Sequence, residues 1–334
     1  MKSPTTEKFD LYQTVTNAIV EAIESGLADG NWKRPWHTVA GHAGSPINFE
    51  SRKPYRGINI LCLMASAAKN GFTSGEWGTY KQWAERGAQV KRGSNGTQIV
   101  FWKFDTVKGK RKADSGESGD AGGADGEVVS LRRRAVLARA YYVFNAAQVD
   151  GYTPKPETIR PEPERFQAAE EFFAGCNVDL RHGGNSAHYS PLFDHVQMPH
   201  LSQFDSAVPY YGTLAHEFTH WTGHSSRLDR DLSKRFGTLG YAAEELIAEI
   251  GAAFMCVMLG IESAPREDHA KYVKHWLDVL KGDKYAIFTA SSKAQQAVDF
   301  LIARAQGEAL PAIAEEGAED AAPAVERELV GAGV

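Results

Sequence analysis

Apolar residues recur every four positions near the start of the chain: Leu11, Val15, Ile19 and Ile23 form one row, and Gly26 follows it. Such a repeat lines one face of an α-helix, and glycine is a frequent helix stop, so residues 9–26 predict an amphipathic helix. After a loop containing NWKRPWHT, the stretch RGINILCLMASAAKNG predicts a second helix that again ends on glycine. WGTYKQWAERG, from Trp77 to Gly87, predicts a short third one. QIVFWKF (98–104) is β-branched and aromatic and predicts a strand. Residues 105–127 are rich in Gly, Ser, Asp and Lys without apolar periodicity, and predict a disordered loop inside a hairpin. EVVSLRRRAVLARAYYVFNAAQV then predicts one or two strands.

Four prolines fall within TPKPETIRPEPERF (153–166), which predicts a linker over 153–165. Beyond it, FQAAEEFFAGC predicts a helix and AHYSPLFDHVQMP predicts strand pieces. Three helical segments begin near Tyr210, Tyr241 and Arg266. From about Gln306 the chain is Ala, Gly and acid, and predicts a flexible acidic tail over 306–334. The expected fold class is α+β in two domains, residues 1–152 and 166–305.

Length and composition agree with two domains, because 334 residues exceed one ordinary core. With 43% hydrophobic residues the chain has material for sizeable cores, which excludes wholesale disorder. There is no run of 18 apolar residues and no apolar signal core near the N-terminus, so the expectation is a cytoplasmic protein without a membrane partner. Cys62, Cys176 and Cys256 are widely spaced in apolar stretches and read as buried thiols rather than a disulfide framework or metal cluster. The net charge of −5 hides a division. Residues 1–150 carry 21 basic against 15 acidic groups (+6), and the remainder carries 37 − 21 = 16 against 42 − 15 = 27 (−11). The basic part is the one suited to a polyanion.

The sharpest chemical feature is LAHEFTHWTGH (214–224). His216 and His220 lie one helical turn apart, so their imidazoles can converge on one ion. Glu217 lies on the adjacent edge of that face, within reach of a water held there but not of the metal. A third histidine six residues after the second is ruled out, since position 226 is serine. What the chain offers instead is a second helix, YAAEELIAEIGAAFM, with Glu245 and Glu249 one turn apart among small residues. His224 continues the histidine row but lies around the helix from His216, and reads as a neighbour of the site or as surface. The DHVQMP segment is either an edge strand for an extended peptide or an ordinary sheet strand. His188, His200, Tyr210 and Tyr211 are candidates for stabilising an oxyanion, and no spacing selects among them.

This pattern resembles the gluzincin metallopeptidases. In that group the first acid of an acid-x-x-x-acid pair binds zinc and the second orients the first histidine. The resemblance implies Zn²⁺, or another divalent metal, held by His216, His220 and Glu245, with Glu249 behind them; the reverse order of the two acids stays open. It also implies Glu217 as the general base of a hydrolase.

The first domain interleaves cations with flat rings: Trp32, Lys33, Arg34 and Trp36; Arg52, Lys53, Tyr55 and Arg56; Trp77, Tyr80, Lys81 and Trp83. Single-stranded nucleic acid needs this mixture, with phosphates neutralised and unpaired bases stacked on rings. The blander reading makes most of the rings core and most of the charges ordinary surface.

W-K-x-P-W, K-P-Y-R-G-I-N, W-x-T-Y-K-Q-W and Y-Y-V-F-N-A-A-Q-V, followed by H-E-x-x-H-W-T-G-H and Y-A-x-E-E-L-I-A-E-I-G-A-A-F, resemble the ArdC-type antirestriction proteins. The likeness runs from about residue 9 to about residue 300. It implies a single-stranded-DNA-binding domain followed by a zincin-like metallopeptidase domain, encoded on conjugative plasmids and protecting incoming DNA from host restriction. A host protein of the restriction system is the implied peptide substrate. The alternative is a protein that coats single strands, with a structural or vestigial metal site and no proteolysis.

Overall fold

The computed structural model describes residues 10–28, 46–109, 130–154, 162–232, 239–261, 270–309 and 324–327. They fall into two compact units: Met1–Ile99 with Tyr142–Pro311, and Val100–Tyr141 with Ala312–Val334.

In the first unit, helix α1 (Leu11–Ala28) buries Leu11, Val15, Ile19 and Ile23, the apolar row the sequence displays. It passes through Gly26, which the sequence suggests as its end, by two residues. Strand β1 (Ile47–Asn48) leads to α2 (Ile58–Asn70), which stops at Gly71 in the left-handed conformation (φ 66°), where a side chain would be strained. β2 (Glu76–Thr79) comes before α3 (Tyr80–Glu85), so the expected helix over 77–87 begins as strand. The switch falls at Thr79, whose hydroxyl accepts from the Gln82 backbone while the Gln82 side chain accepts from the Thr79 backbone N–H. β3 (Gln89–Val90), β4 (Thr97–Gly109) and β5 (Ser130–Asn145) follow, then β6 (Val149–Asp150), which pairs antiparallel with β3. β1 runs parallel to β2, and β2 runs antiparallel to the end of β5, with Trp77 opposite Asn145. Phe49, Trp83, Ala88, Val90, Ala146 and Val149 form a core beneath them, in which the Phe49 and Trp83 rings stack at 3.6 Å.

The unit continues with α4 (Glu162–Gly175), which begins inside the stretch expected to be linker; residues 155–161 lie outside the described ones. β7 (Leu180–His182), β8 (His188–Ser190) and β9 (His195–Met198) form a small sheet in the order β7-β9-β8. The DHVQMP segment is thus the central strand and not an edge. Helices α5 (Ala207–Thr222) and α6 (Leu239–Leu259) pack along each other. The third expected helical segment is two helices, α7 (Ala270–Gly282) and α8 (Ala286–Ala305), and its suggested start near Arg266 lies outside the described residues. They part at Asp283, whose side chain accepts from the Tyr285 N–H and whose carbonyl accepts from the Ala286 N–H. α8 packs on α5 and α6. Helices from both sides of the proline-rich stretch meet in this unit: α1 packs on α7, and α2 on α8. Thr16 donates to the Lys284 carbonyl, and Arg56 pairs with Asp299.

In the second unit β4 runs on to Gly109, into the segment expected to be a loop, and 110–129 lie outside the described residues. A strand β10 (Ala324–Arg327), within the expected loose tail, pairs parallel with Leu137–Ala140 of β5. Cys176 and Cys256 are buried, Cys62 is half-buried, and none of the three is in a disulfide. Among the described residues no helix is long and apolar enough to cross a membrane.

Candidate metal centre and nucleic-acid face

His216 and His220 project from α5 with their Nε2 atoms 3.1 Å apart. Glu245, on α6, places Oε2 at 3.5 Å from His216 Nε2 and Oε1 at 3.5 Å from His220 Nε2. A tetrahedral ion with ligand bonds of about 2.0–2.1 Å spaces its ligands about 3.4 Å apart, close to each of these separations, with Glu245 offering one oxygen to each imidazole. Two imidazoles and one carboxylate suit a divalent cation, and these three residues are the group among the described residues whose ligand atoms converge this way.

Behind each histidine stands a carboxylate. Glu249 Oε2 lies 3.3 Å from His216 Nδ1, and Glu244 Oε1 lies 3.1 Å from His220 Nδ1. A carboxylate on Nδ1 fixes the ring and turns Nε2 inward. Glu244 is itself gripped by Arg230, whose Nε and Nη2 both reach it at 3.0 Å. Arg230 also donates to the Thr222 hydroxyl and the Thr219 carbonyl, closing the C-terminal end of α5, where a cation is favoured. Gly223 makes room for it: a Cβ there would sit 2.9 Å from the guanidinium. Glu244 and Arg230 are absent from the sequence reading of the site.

Burial alone would lower the His220 pKa, but the Glu244 and Glu245 carboxylates outweigh it and raise it to about 10. Burial would likewise raise Glu245, yet hydrogen bonds from His216 and His220 bring it well below the usual carboxylate range. Glu244 is held down, against its burial, by His220 and Arg230. The donors are thus arranged with anions around imidazoles, the charge pattern a cation site requires.

Glu217 is buried beside the pair, and its Oε2 accepts the Tyr189 backbone N–H of β8 at 2.9 Å. β8 is braced in turn. The Tyr189 hydroxyl donates to Asp194 at 2.9 Å, and Arg227 holds Asp194 through Nη1 at 3.0 Å and Nη2 at 2.5 Å. His224 does not join the group; its Nδ1 meets Ser226. Tyr210 pairs with His182, and Tyr211 with Glu170, so both hydroxyls tie helices and strands together. His200 stacks on His182, and the His188 ring lies edge-on to His195.

The suggested nucleic-acid residues divide sharply. Trp77 and Trp83 are 1% and 0% exposed, so their rings are core and cannot receive a base, which corrects that part of the expectation. Their burial has a plain cause: Trp77 faces Phe72, while Trp83 stacks on Phe49 and donates its indole N–H to the Phe144 carbonyl. Arg52, Lys53, Arg56, Tyr80 and Lys81 are exposed, and Tyr55 is half-buried. Arg52 pairs with the buried Glu76, Arg56 with Asp299, and Lys81 with Glu85 at 3.7 Å. Trp32, Lys33, Arg34 and Trp36 lie outside the described residues.

Fold and donor set together define a zincin-like metallopeptidase domain preceded by a small α+β domain. The family comparisons divide the chain in the same way. A family model for the N-terminal domain of anti-restriction factor ArdC matches residues 9–144, and one for a zincin-like metallopeptidase matches residues 167–293. The crystal structure of the metal-free antirestriction ArdC protein from the R388 plasmid is similar over 90% of this chain and 100% of its own, with TM-score 0.68 and 36% identity. Its Mn(II)-bound structure aligns with TM-score 0.65 at 36% identity, over 89% of this chain and 98% of that one. An uncharacterized protein, y4eC, of Sinorhizobium fredii (strain NBRC 101917 / NGR234) is 45% identical over 295 residues, covering 88% of this chain and 92% of the relative. The DNA primase TraC of Escherichia coli is 38% identical over 299 residues, which are 89% of this chain but 27% of the primase. The chain belongs to the ArdC-type antirestriction family.

Proposed function

We propose that this protein protects incoming DNA from host restriction by binding it as single strands and by carrying a zinc-dependent peptidase site directed at a host protein. The DNA-binding domain is residues 1–152 and the peptidase domain 166–305. The observation that carries the peptidase reading is the convergence of His216, His220 and Glu245, with the Nε2 atoms 3.1 Å apart and a different Glu245 oxygen 3.5 Å from each. In this reading those three hold Zn²⁺, or another divalent metal, while Glu249 and Glu244 hold the histidine Nδ1 atoms. A divalent ion held there would supply Lewis-acid polarisation of a peptide carbonyl and would acidify water towards a pKa of about 7. Glu217 takes the proton of the attacking water and returns it to the departing amine. The Tyr189 N–H keeps the Glu217 carboxylate turned to the site. DNA binding is supported by the family's N-terminal domain and by the basic balance of residues 1–150.

Metal content and protection in transfer assays into a restricting host test this together. About one divalent ion per chain is expected in the wild type and in Glu217→Gln, and loss of the ion in His216→Ala. Glu217→Gln should lose protection while still binding an unpaired oligonucleotide. Full protection by that variant would overturn the proteolytic reading and leave strand coating as the activity.

A further inference from the structure

Burial of Trp77 and Trp83 removes two of the rings on which unpaired bases were expected to stack. The same domain presents others. Tyr80 is 42% and Tyr142 is 47% exposed. Tyr142 and Phe144 are two apart on β5 and so share a face of the sheet. Phe144, half-buried, lies 6.4 Å from Tyr80, edge to face. Gly96 lies against these two side chains: a Cβ there would come within 3.0 Å of Tyr142 Cβ and 3.1 Å of Phe144 Cζ. Both exposed hydroxyls are held in place, Tyr80 by the Gln89 amide at 2.9 Å and Tyr142 by Gln98 at 3.3 Å.

The stretch that begins with Tyr80 is rich in cations. Residues 80–98 contain Lys81, Arg86, Lys91 and Arg92 against one acid, Glu85. Lys81 and Lys91 are exposed, and their ion pairs, to Glu85 at 3.7 Å and Asp150 at 3.9 Å, are long surface contacts of the kind that water screens. Exposed rings edged by amides, on a stretch rich in exposed cations, match an unpaired strand, which offers base faces, base edges and phosphates.

We propose that Tyr80, Phe144 and Tyr142 are the platform on which bases of single-stranded DNA stack, with Lys81, Lys91 and Arg92 meeting its phosphates. This rests on the DNA-binding reading above and gives that reading a site.

The test measures anisotropy of a labelled oligothymidine against the full-length protein over a range of salt. Tyr80→Ala/Tyr142→Ala should weaken binding by about tenfold to a thousandfold. Tyr80→Phe/Tyr142→Phe should stay near wild type, since a phenyl ring still stacks. Arg92→Ala should reduce the salt slope by about one. All three alter exposed side chains, so an unchanged unfolding temperature is expected and is measured alongside. Wild-type affinity in the double alanine variant would overturn the platform while leaving DNA binding in place. No binding by the wild type would overturn both. If the double alanine variant binds DNA normally but changes the sedimentation coefficient, the rings are a protein interface and the proposal fails.

Discussion

Gly251 of α6 lies directly against Thr219 of α5, so closely that a Cβ on the glycine would fall 2.6 Å from the threonine hydroxyl and 2.7 Å from its methyl. Thr219 stands between His216 and His220 and is completely buried. The contact therefore sets how near the helix with three carboxylates approaches the helix with two imidazoles. Gly251→Ala is expected to cost about 1–3 kcal/mol by overpacking, read from urea unfolding, and to weaken metal uptake. Adding Thr219→Ala removes the clashing atoms and should restore part of both.

Glu245 and Glu249 are one turn apart but do different work in the proposed site. Glu245→Gln should abolish stoichiometric metal binding. Glu249→Gln should weaken it by about tenfold to a hundredfold, the usual effect of removing a partner behind a ligating histidine. Competition with a chromogenic chelator distinguishes the two, and equal losses would count against the assignment of Glu245 as the direct ligand.

Glu244 and Arg230 make a second support, on the His220 side. Arg230→Met leaves the buried Glu244 carboxylate with His220 alone of its two cationic partners, and removes a cap from α5. We expect a loss of about 3–5 kcal/mol, the usual consequence of breaking a buried pair on one side. The double variant Glu244→Gln/Arg230→Met should be less destabilised than the single one, as thermal unfolding of the metal-free proteins would record.

The Asp194 carboxyl is lowered, mainly through its hydrogen bonds with Arg227. A carboxyl with a depressed folded pKa stabilises the protein above its unfolded pKa of about 4, and that stability disappears as pH falls through the folded value. The gap in urea midpoint between wild type and Asp194→Asn should therefore be full at neutral pH and close in acid. A gap that is independent of pH would contradict the linkage.

Trp83→Ala should act on stability, by about 3–5 kcal/mol, because it empties the centre of a core. Its folded fraction should bind an unpaired oligonucleotide with wild-type affinity. A selective loss of affinity without loss of stability would return Trp83 to the DNA-contacting set.

Local patterns were legible because they depend on neighbours in the chain. The row Leu11, Val15, Ile19 and Ile23 is buried as its period demands, and Gly71 ends α2 as a left-handed cap. Four-residue spacing likewise brings His216 and His220 to one side of α5 without any tertiary information. The division of 77–87 into strand and helix was less visible, since a threonine cap and a β-branched strand end use the same residue. The break between α7 and α8 was hidden for a similar reason, because apolar periodicity resumes after one turn at Asp283.

By itself, then, the sequence determined the period of the helices, the pairing of the two histidines and the presence of acids one turn apart on a second helix. Tertiary structure decided which carboxylate does what. Rotation of α6 about its axis, with Gly251 against Thr219, sets Glu245 facing both Nε2 atoms, Glu249 behind His216 and Glu244 behind His220. It also decided which aromatic rings are core: Trp83 stacks on Phe49, while Tyr80 and Tyr142 remain at the surface. Composition counts rings and charges along the chain, but burial depends on what distant segments bring against them.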